Sequence, residues 1–414
     1  MAEFRPFRAV RPADIYAADV AAPPYDVMTS EEAREMVKDK PLSFMHIDRA
    51  EIDLPEGTDP YSAEVYLKAK ETLERQISEG VFIQDEAPRF YVYRLTMGGR
   101  TQTGLVGCAS IDDYEAGVIK KHELTRADKE EDRVRHVDTL DANTGPIFLA
   151  CRKAEALTSL LIYAVTAAPV YDFVADDGVR HEVWLLDEAL NEKISGIFIQ
   201  TESLYIADGH HRCASAARVG KLRREQNPGW SGDEEFGFFL AVVFPEDQLE
   251  IMDYNRVVAD LNGMTQDEFF AKLNEKFLAE PYTGDGAFKP SQKYTYGMYI
   301  EGKWYKLTAR PGVIDESNPI ARLDVSILQD NLLAPLLGVD DPRTCKRIDF
   351  IGGIRGLSEL ESRVNSDMKI AFAMCPTTME DLFDIADAGL VMPPKSTWFE
   401  PKLLSGLFVH KLSD

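Results

Sequence analysis

Asp208-Gly209-His210-His211-Arg212 puts a carboxylate, a flexible residue, two imidazoles and a guanidinium in consecutive positions of a chain with only seven histidines in 414 residues. The apolar segment 204–207 before it has a strand pattern, and the Ala-rich stretch 213–224 after it a helical one. A strand that ends in Asp-Gly and turns into a helix leaves the first helical amides unpaired and facing outward, where they favour an anion. Gly209 lets the backbone turn tightly or approach a ligand closely. Arg212 in the first turn opposes the helix dipole, and a bound anion removes that conflict. Arg212 can grip phosphate in bidentate fashion, and His210 and His211 can add hydrogen bonds or positive charge. Asp208 is then placed to hold a magnesium ion or to orient a hydroxyl. The residues read as a phosphate or nucleotide site. The competing reading has the imidazoles pointing apart and merely packing.

The elements around this turn are legible in outline. Thr29 with Glu32 is a capping box that opens a helix over 29–38, and 61–79 carries Val65, Ala69, Leu73 and Ile77 at helical spacing before Gly80. Hairpins are predicted at Gly98-Gly99 and Asp177-Gly178, so at least one sheet is largely antiparallel. The apolar run 236–244 predicts a central strand. After about residue 259, helices near 265–277, 322–334 and 377–388 alternate with strands at 347–353 and 369–375. The expectation is an α+β fold with a mixed sheet and hairpins in an N-terminal region, 1–258, and a C-terminal α/β domain, 259–414, that closes over the site.

Net charge −24 argues against nucleic acid as a partner. The basic run Lys221-Leu222-Arg223-Arg224 reads as a solvated helix end. Five scattered cysteines without a C-x-x-C pair leave a structural zinc site unsupported and suggest reduced thiols in the cytoplasm. No stretch of eighteen apolar residues predicts a membrane span. Other strings carry weaker signals. Pro23-Pro24-Tyr25-Asp26 is a rigid turn that can frame a site mouth. Lys395-Ser396-Thr397 lacks the glycines of a P-loop, so Lys395 is either a point charge for a phosphate or part of a surface loop. Asn255-Arg256 is a candidate nucleotide contact, and Gly352-Gly353 marks little beyond a turn.

The Asp-Gly-His-His-Arg string resembles the signature turn of the ParB/sulfiredoxin-like fold, in which it binds nucleotide phosphates, and is very similar to that of kinases acting on free L-serine. The segments 22–27 (APPYDV), 120–133 (KKHELTRADKEEDR), 143–149 (NTGPIFL), 336–343 (LLGVDDPR), 347–353 (RIDFIGG) and 392–412 look like a bacterial and archaeal family, domain of unknown function 1015. The resemblance runs nearly end to end. It implies a ParB/sulfiredoxin-like core and nucleotide-dependent phosphorylation of the serine hydroxyl, with ATP or ADP and Mg2+. His122-Glu123 looks like the counterpart of a His-Glu pair in the serine kinases, which makes Glu123 the base for the hydroxyl proton. Thr125, Arg126 and Arg133 become candidate contacts to substrate or phosphate. The alternative is a ParB-like nucleotide-binding regulator or a nucleotide hydrolase. The chain is far longer than the compact serine kinases, and its terminal segments have no evident counterpart there. The sequence leaves open ATP against ADP, the acceptor and the oligomeric state.

Overall fold

The computed structural model describes residues 1–413. The chain divides into two units, Met1–Leu249 with Pro401–Asp414, and Glu250–Glu400. This division falls before the expected 258/259 boundary, and it returns the C-terminal segment to the first unit. The strand His410–Lys411 pairs there with Ala142–Asn143, and Val409 bridges Val10.

In the first unit nine strands build one mixed sheet: β1 (Phe4–Arg5), β2 (Tyr91–Met97), β3 (Arg100–Ser110), β4 (Ile119–Lys120), β5 (Ile147–Cys151), β6 (Tyr171–Val174), β7 (Arg180–Leu185), β8 (Leu204–Asp208) and β9 (Phe238–Pro245). Their order is β4-β8-β5-β9-β3-β2-β7-β6, with β1 on β3. The pairs β8/β4 and β9/β5 are parallel and the others antiparallel. Met97 pairs with Arg100 across Gly98 (φ 57°) and Gly99 (φ 83°), both left-handed, as a two-residue type I′ turn requires. β9 is buried throughout because it lies between β5 and β3, which accounts for its unbroken apolar run.

Four helices of this unit bear on the site: α1 (Ser30–Val37), α2 (Ala63–Ser78), α3 (Ala127–Leu140) and α4 (His210–Gln226). Thr29 and Glu32 form both bonds of the capping box on α1. Val65, Ala69 and Leu73 of α2 are buried in a core with Phe44 and Leu140. The small residues of α4 let it sit tightly: a Cβ at Gly220 would lie 2.4 Å from the Phe236 carbonyl oxygen. The basic run at the end of α4 is neutralised locally. Arg223 pairs with Asp138 and Asp141, and Arg224 pairs with Asp112.

The second unit carries six strands, β10 (Tyr254–Val258), β11 (Phe277–Pro281), β12 (Thr295–Ile300), β13 (Lys303–Ala309), β14 (Ile348–Gly352) and β15 (Ile370–Ala373), in the order β11-β13-β12-β15-β10-β14. Its helices include α5 (Gln266–Lys276), α6 (Asp324–Leu328), α7 (Leu357–Ser366) and α8 (Met379–Asp387). Every strand pairing is antiparallel. This corrects the α/β expectation for the C-terminal half. Helix–strand alternation along the chain suggested parallel crossovers, but each helix here leads to a strand that enters the sheet against its neighbours. Both units are therefore α+β. The expected helix over 322–334 is α6 followed by a π-turn at Gln329–Leu333.

Candidate functional site

β8 is buried until its last residue, where Asp208 emerges half-buried and the register against β5 shifts. Gly209 (φ 95°, ψ 30°) turns the chain into α4 with no side-chain cap on its first amides. Asp208 Oδ1 accepts from the Gly209 amide at 2.9 Å, and Oδ2 accepts from the Lys402 ammonium at 2.9 Å. Burial alone would raise the Asp208 carboxyl, but Lys402 and Arg212 outweigh it and hold the group well below the usual carboxylate range.

The two histidines diverge. His210 turns inward, 6% exposed, with its ring perpendicular to that of His122 at 4.6 Å. Its Nδ1 lies 3.7 Å from Glu123 Oε2, and Nε2 has no hydrogen-bond partner. Burial, with His122 beside it, pushes the His210 imidazole well below its ordinary value, and burial takes His122 down to about 4. His211 instead accepts from the Arg126 amide at 3.0 Å, the residue that precedes α3, and burial lowers its pKa too. Both rings are thus biased toward the neutral form, so they offer hydrogen bonds rather than positive charge.

Arg212 lies over two glycines. A Cβ on Gly209 would stand 3.2 Å from its Nε, and one on Gly145 would stand 3.4 Å from its Nη1. Nη1 donates to the Pro146 carbonyl at 2.6 Å. Beneath Arg212 is a hollow of ≈ 20 Å³ that Tyr25, Asp48, Arg133, His136 and Thr144 also line. By size it holds about one water. A second hollow of ≈ 70 Å³ shares Tyr25, Asp48, Arg133 and His136. The buried Arg133 is paired with Asp132, which Tyr66 also bonds, and its guanidinium sits 4.0 Å from the Tyr25 ring centre. His136 Nε2 bonds the Ile47 carbonyl at 3.1 Å while Nδ1 has no partner, and burial takes its pKa to about 3.

The structure therefore gathers Asp208, Gly209, His210, Arg212 and Glu123 at one corner, with Glu123 at 56% side-chain exposure on its open face. Arg126 stands nearby through its amide, but its guanidinium is 70% exposed and pairs with Asp128. Lys395 belongs to the second unit, at φ 60°, with its ammonium 5.4 Å from the Tyr254 ring centre. Lys402, His122 as a packing partner, and the hollow-lining Asp48 and His136 were not assigned from sequence. Lys402 lies in the family-like segment 392–412, but nothing local marks it as the partner of Asp208. Among the described residues, no group of three or more His, Cys, Asp and Glu could hold a metal ion. Both oxygens of Asp208 are already engaged, by the Gly209 amide and the Lys402 ammonium.

The family model for proteins of unknown function DUF1015 matches residues 4–326. The chain belongs to that family. No curated protein matches it. Among solved structures it is similar to a free serine kinase in complex with AMP, at 13% identity and TM-score 0.34, over 70% of this chain and 85% of that one. It is also similar to a conserved hypothetical protein from Pyrococcus furiosus (13%, TM-score 0.34, 71% and 90%) and to C-terminally truncated SbnI from Staphylococcus aureus (11%, TM-score 0.37, 72% and 85%). Likeness at these scores is remote. No helix among the described residues is long and apolar enough to cross a membrane.

Proposed function

We propose that this DUF1015 chain is a cytoplasmic, nucleotide-dependent kinase that phosphorylates the hydroxyl of free L-serine, built on a ParB/sulfiredoxin-like core in its first unit. The observation that carries the reading is the approach of Glu123 to His210, 3.7 Å, at the uncapped N-terminus of α4. It joins a solvent-facing carboxylate to a row of anion-binding groups. The amides of α4 and Arg212 hold the phosphates. Arg126, already exposed, adds a cation from the open face. The hollows beneath Arg212 are too small for a nucleotide, so it lies over that face.

In the transfer step the serine Oγ attacks the terminal phosphorus. Its proton passes to Glu123, and the bond to the leaving nucleotide oxygen breaks. A positioned carboxylate base contributes roughly 10²–10⁴ in rate. Neutral His210 stands behind Glu123 with Nδ1 3.7 Å from Oε2 and limits where that carboxylate can lie. Magnesium bound with the nucleotide would neutralise phosphate charge.

Incubation with L-serine, magnesium and either ATP or ADP, followed by mass spectrometry, tests the reading. O-phosphoserine from the parent protein supports it. Nucleotide hydrolysis without phosphoserine, or nucleotide binding without turnover, replaces it with a hydrolase or a regulator.

A further inference from the structure

The second unit contains a cavity of ≈ 360 Å³ that the proposed kinase reading does not use. Its wall converges from separate parts of the chain: Asp340-Asp341-Pro342-Arg343, then Ile348 and Phe350 of β14, then Pro393-Pro394. Val325 of α6 and Leu333 of the following turn also line it, with Gln329, whose amide donates to the Val339 carbonyl at 2.7 Å. The corner at α4 draws on none of these residues.

Arg256 of β10 also lines this cavity and is 3% exposed. Its guanidinium donates to the Tyr254 carbonyl and, at 2.9 Å, to the Lys395 carbonyl. Its centre lies 5.6 Å from that of the Phe350 ring. Among the described residues, no carboxylate stands within ion-pair distance of it. Burial without a counter-charge draws its pKa down to about 10. A guanidinium offers five N–H donors, and carbonyl partners leave its full charge uncompensated in the interior. The acids on the wall do not supply the missing charge. Asp341 is held by Arg343 at 3.0 and 3.1 Å, and Asp340 is exposed. These two carboxylates also disfavour a ligand with more than one negative charge. Val325, Leu333, Ile348, Phe350 and the prolines give the remaining surface an apolar character, and the volume falls within the range of small-molecule pockets.

We propose that this cavity is a binding site for a small organic monocarboxylate, its carboxylate on Arg256 and its apolar body against Leu333, Ile348, Phe350 and the two prolines. The site stands independently of the kinase reading.

Isothermal titration calorimetry on the full chain tests it, with 4-methylpentanoate as probe and 4-methylpentan-1-ol and inorganic phosphate as comparisons. The acid binds at one site per chain, the alcohol at least about tenfold more weakly, and phosphate does not displace the acid. Arg256→Gln reduces acid binding at least about tenfold. Val325→Phe, which fills the cavity and keeps the guanidinium, does the same. Should Arg256→Gln not fold, the Val325→Phe result and the acid–alcohol difference decide. Absence of acid binding to millimolar concentration, equal binding of the alcohol, displacement by phosphate, or acid binding that survives Val325→Phe each overturns the proposal.

Discussion

Both units pair buried carboxylates with cations, Asp381 with Lys293 in the second among them, but the second also leaves a buried guanidinium without a carboxylate among the described residues. In the first, cations and carboxylates meet: Arg11 with Asp85, Arg133 with Asp132, Lys402 with Asp208. The cavities among these groups are small, and the corner at α4 opens to solvent through Glu123. In the second, Arg256 is buried against backbone carbonyls alone. Asp324, 8% exposed, accepts from the Tyr294 amide, yet burial still raises its carboxyl to about 7. The first unit holds its charged groups in fixed geometry before any ligand arrives, as the proposed phosphoryl transfer would need. The second leaves electrostatic stabilisation unclaimed, which a ligand or a proton can supply.

The comparison can be broken at several points. Arg212→Ala should cost the most in binding: nucleotide affinity, measured by calorimetry, falls about tenfold to a hundredfold, the loss of a charge-assisted hydrogen bond. An unchanged affinity would remove Arg212 from the phosphate site. Gly209→Ala forces a left-handed alanine and crowds Arg212 Nε. Urea denaturation should show a loss of about 1–2 kcal/mol. A neutral effect would mean that the turn relaxes freely.

Asp324→Asn probes the second unit. The folded carboxyl keeps its proton up to about pH 7, whereas in the unfolded chain it releases it near the ordinary carboxylate value, about 3.9. The folded state therefore binds more protons across that window, and parent stability falls as pH rises through it. Asparagine keeps the acceptor for Tyr294 and has no proton to lose. Its Tm should exceed the parent's by about 3 °C at pH 8, with the gain fading by pH 5. An equal gain at both pH values would contradict uncompensated burial. Lys402→Met has the smallest effect, under about 1 kcal/mol at pH 7. It lets the Asp208 carboxyl rise. Because a depressed carboxyl stabilises above its unfolded pKa and loses that stability as pH falls through the folded one, the variant should lose less stability than the parent on acidification below about pH 4. An acid slope equal to the parent's would leave Lys402 without influence on Asp208.

What sequence reveals differs between the two regions for the same reason. The corner at α4 is mostly local: strand, glycine turn and helix are contiguous, so the turn from Asp208 to Arg212 was legible from their order alone. Turn chemistry made the Gly98-Gly99 hairpin legible in the same way, and the Thr29–Glu32 capping box marked α1. Directions of side chains were not legible. His210 and His211 differ in their surroundings because a helix turns about 100° per residue, and tertiary neighbours decide what each meets. Long-range closure was hidden as well. Lys402 reaches Asp208 from the far end of the chain, and the Arg256 cavity draws on segments that share no local pattern. Helix–strand alternation after residue 259 suggested parallel crossovers because alternation carries no information on strand direction.

The central claim is that Glu123 takes the proton of a serine hydroxyl at the phosphate corner. Initial rates of O-phosphoserine formation by parent and Glu123→Gln, with nucleotide affinity measured on the same samples, test it most directly. The account predicts a fall in rate of about a hundredfold or more with affinity nearly unchanged. A Glu123→Gln protein that turns over at the parent rate would contradict it.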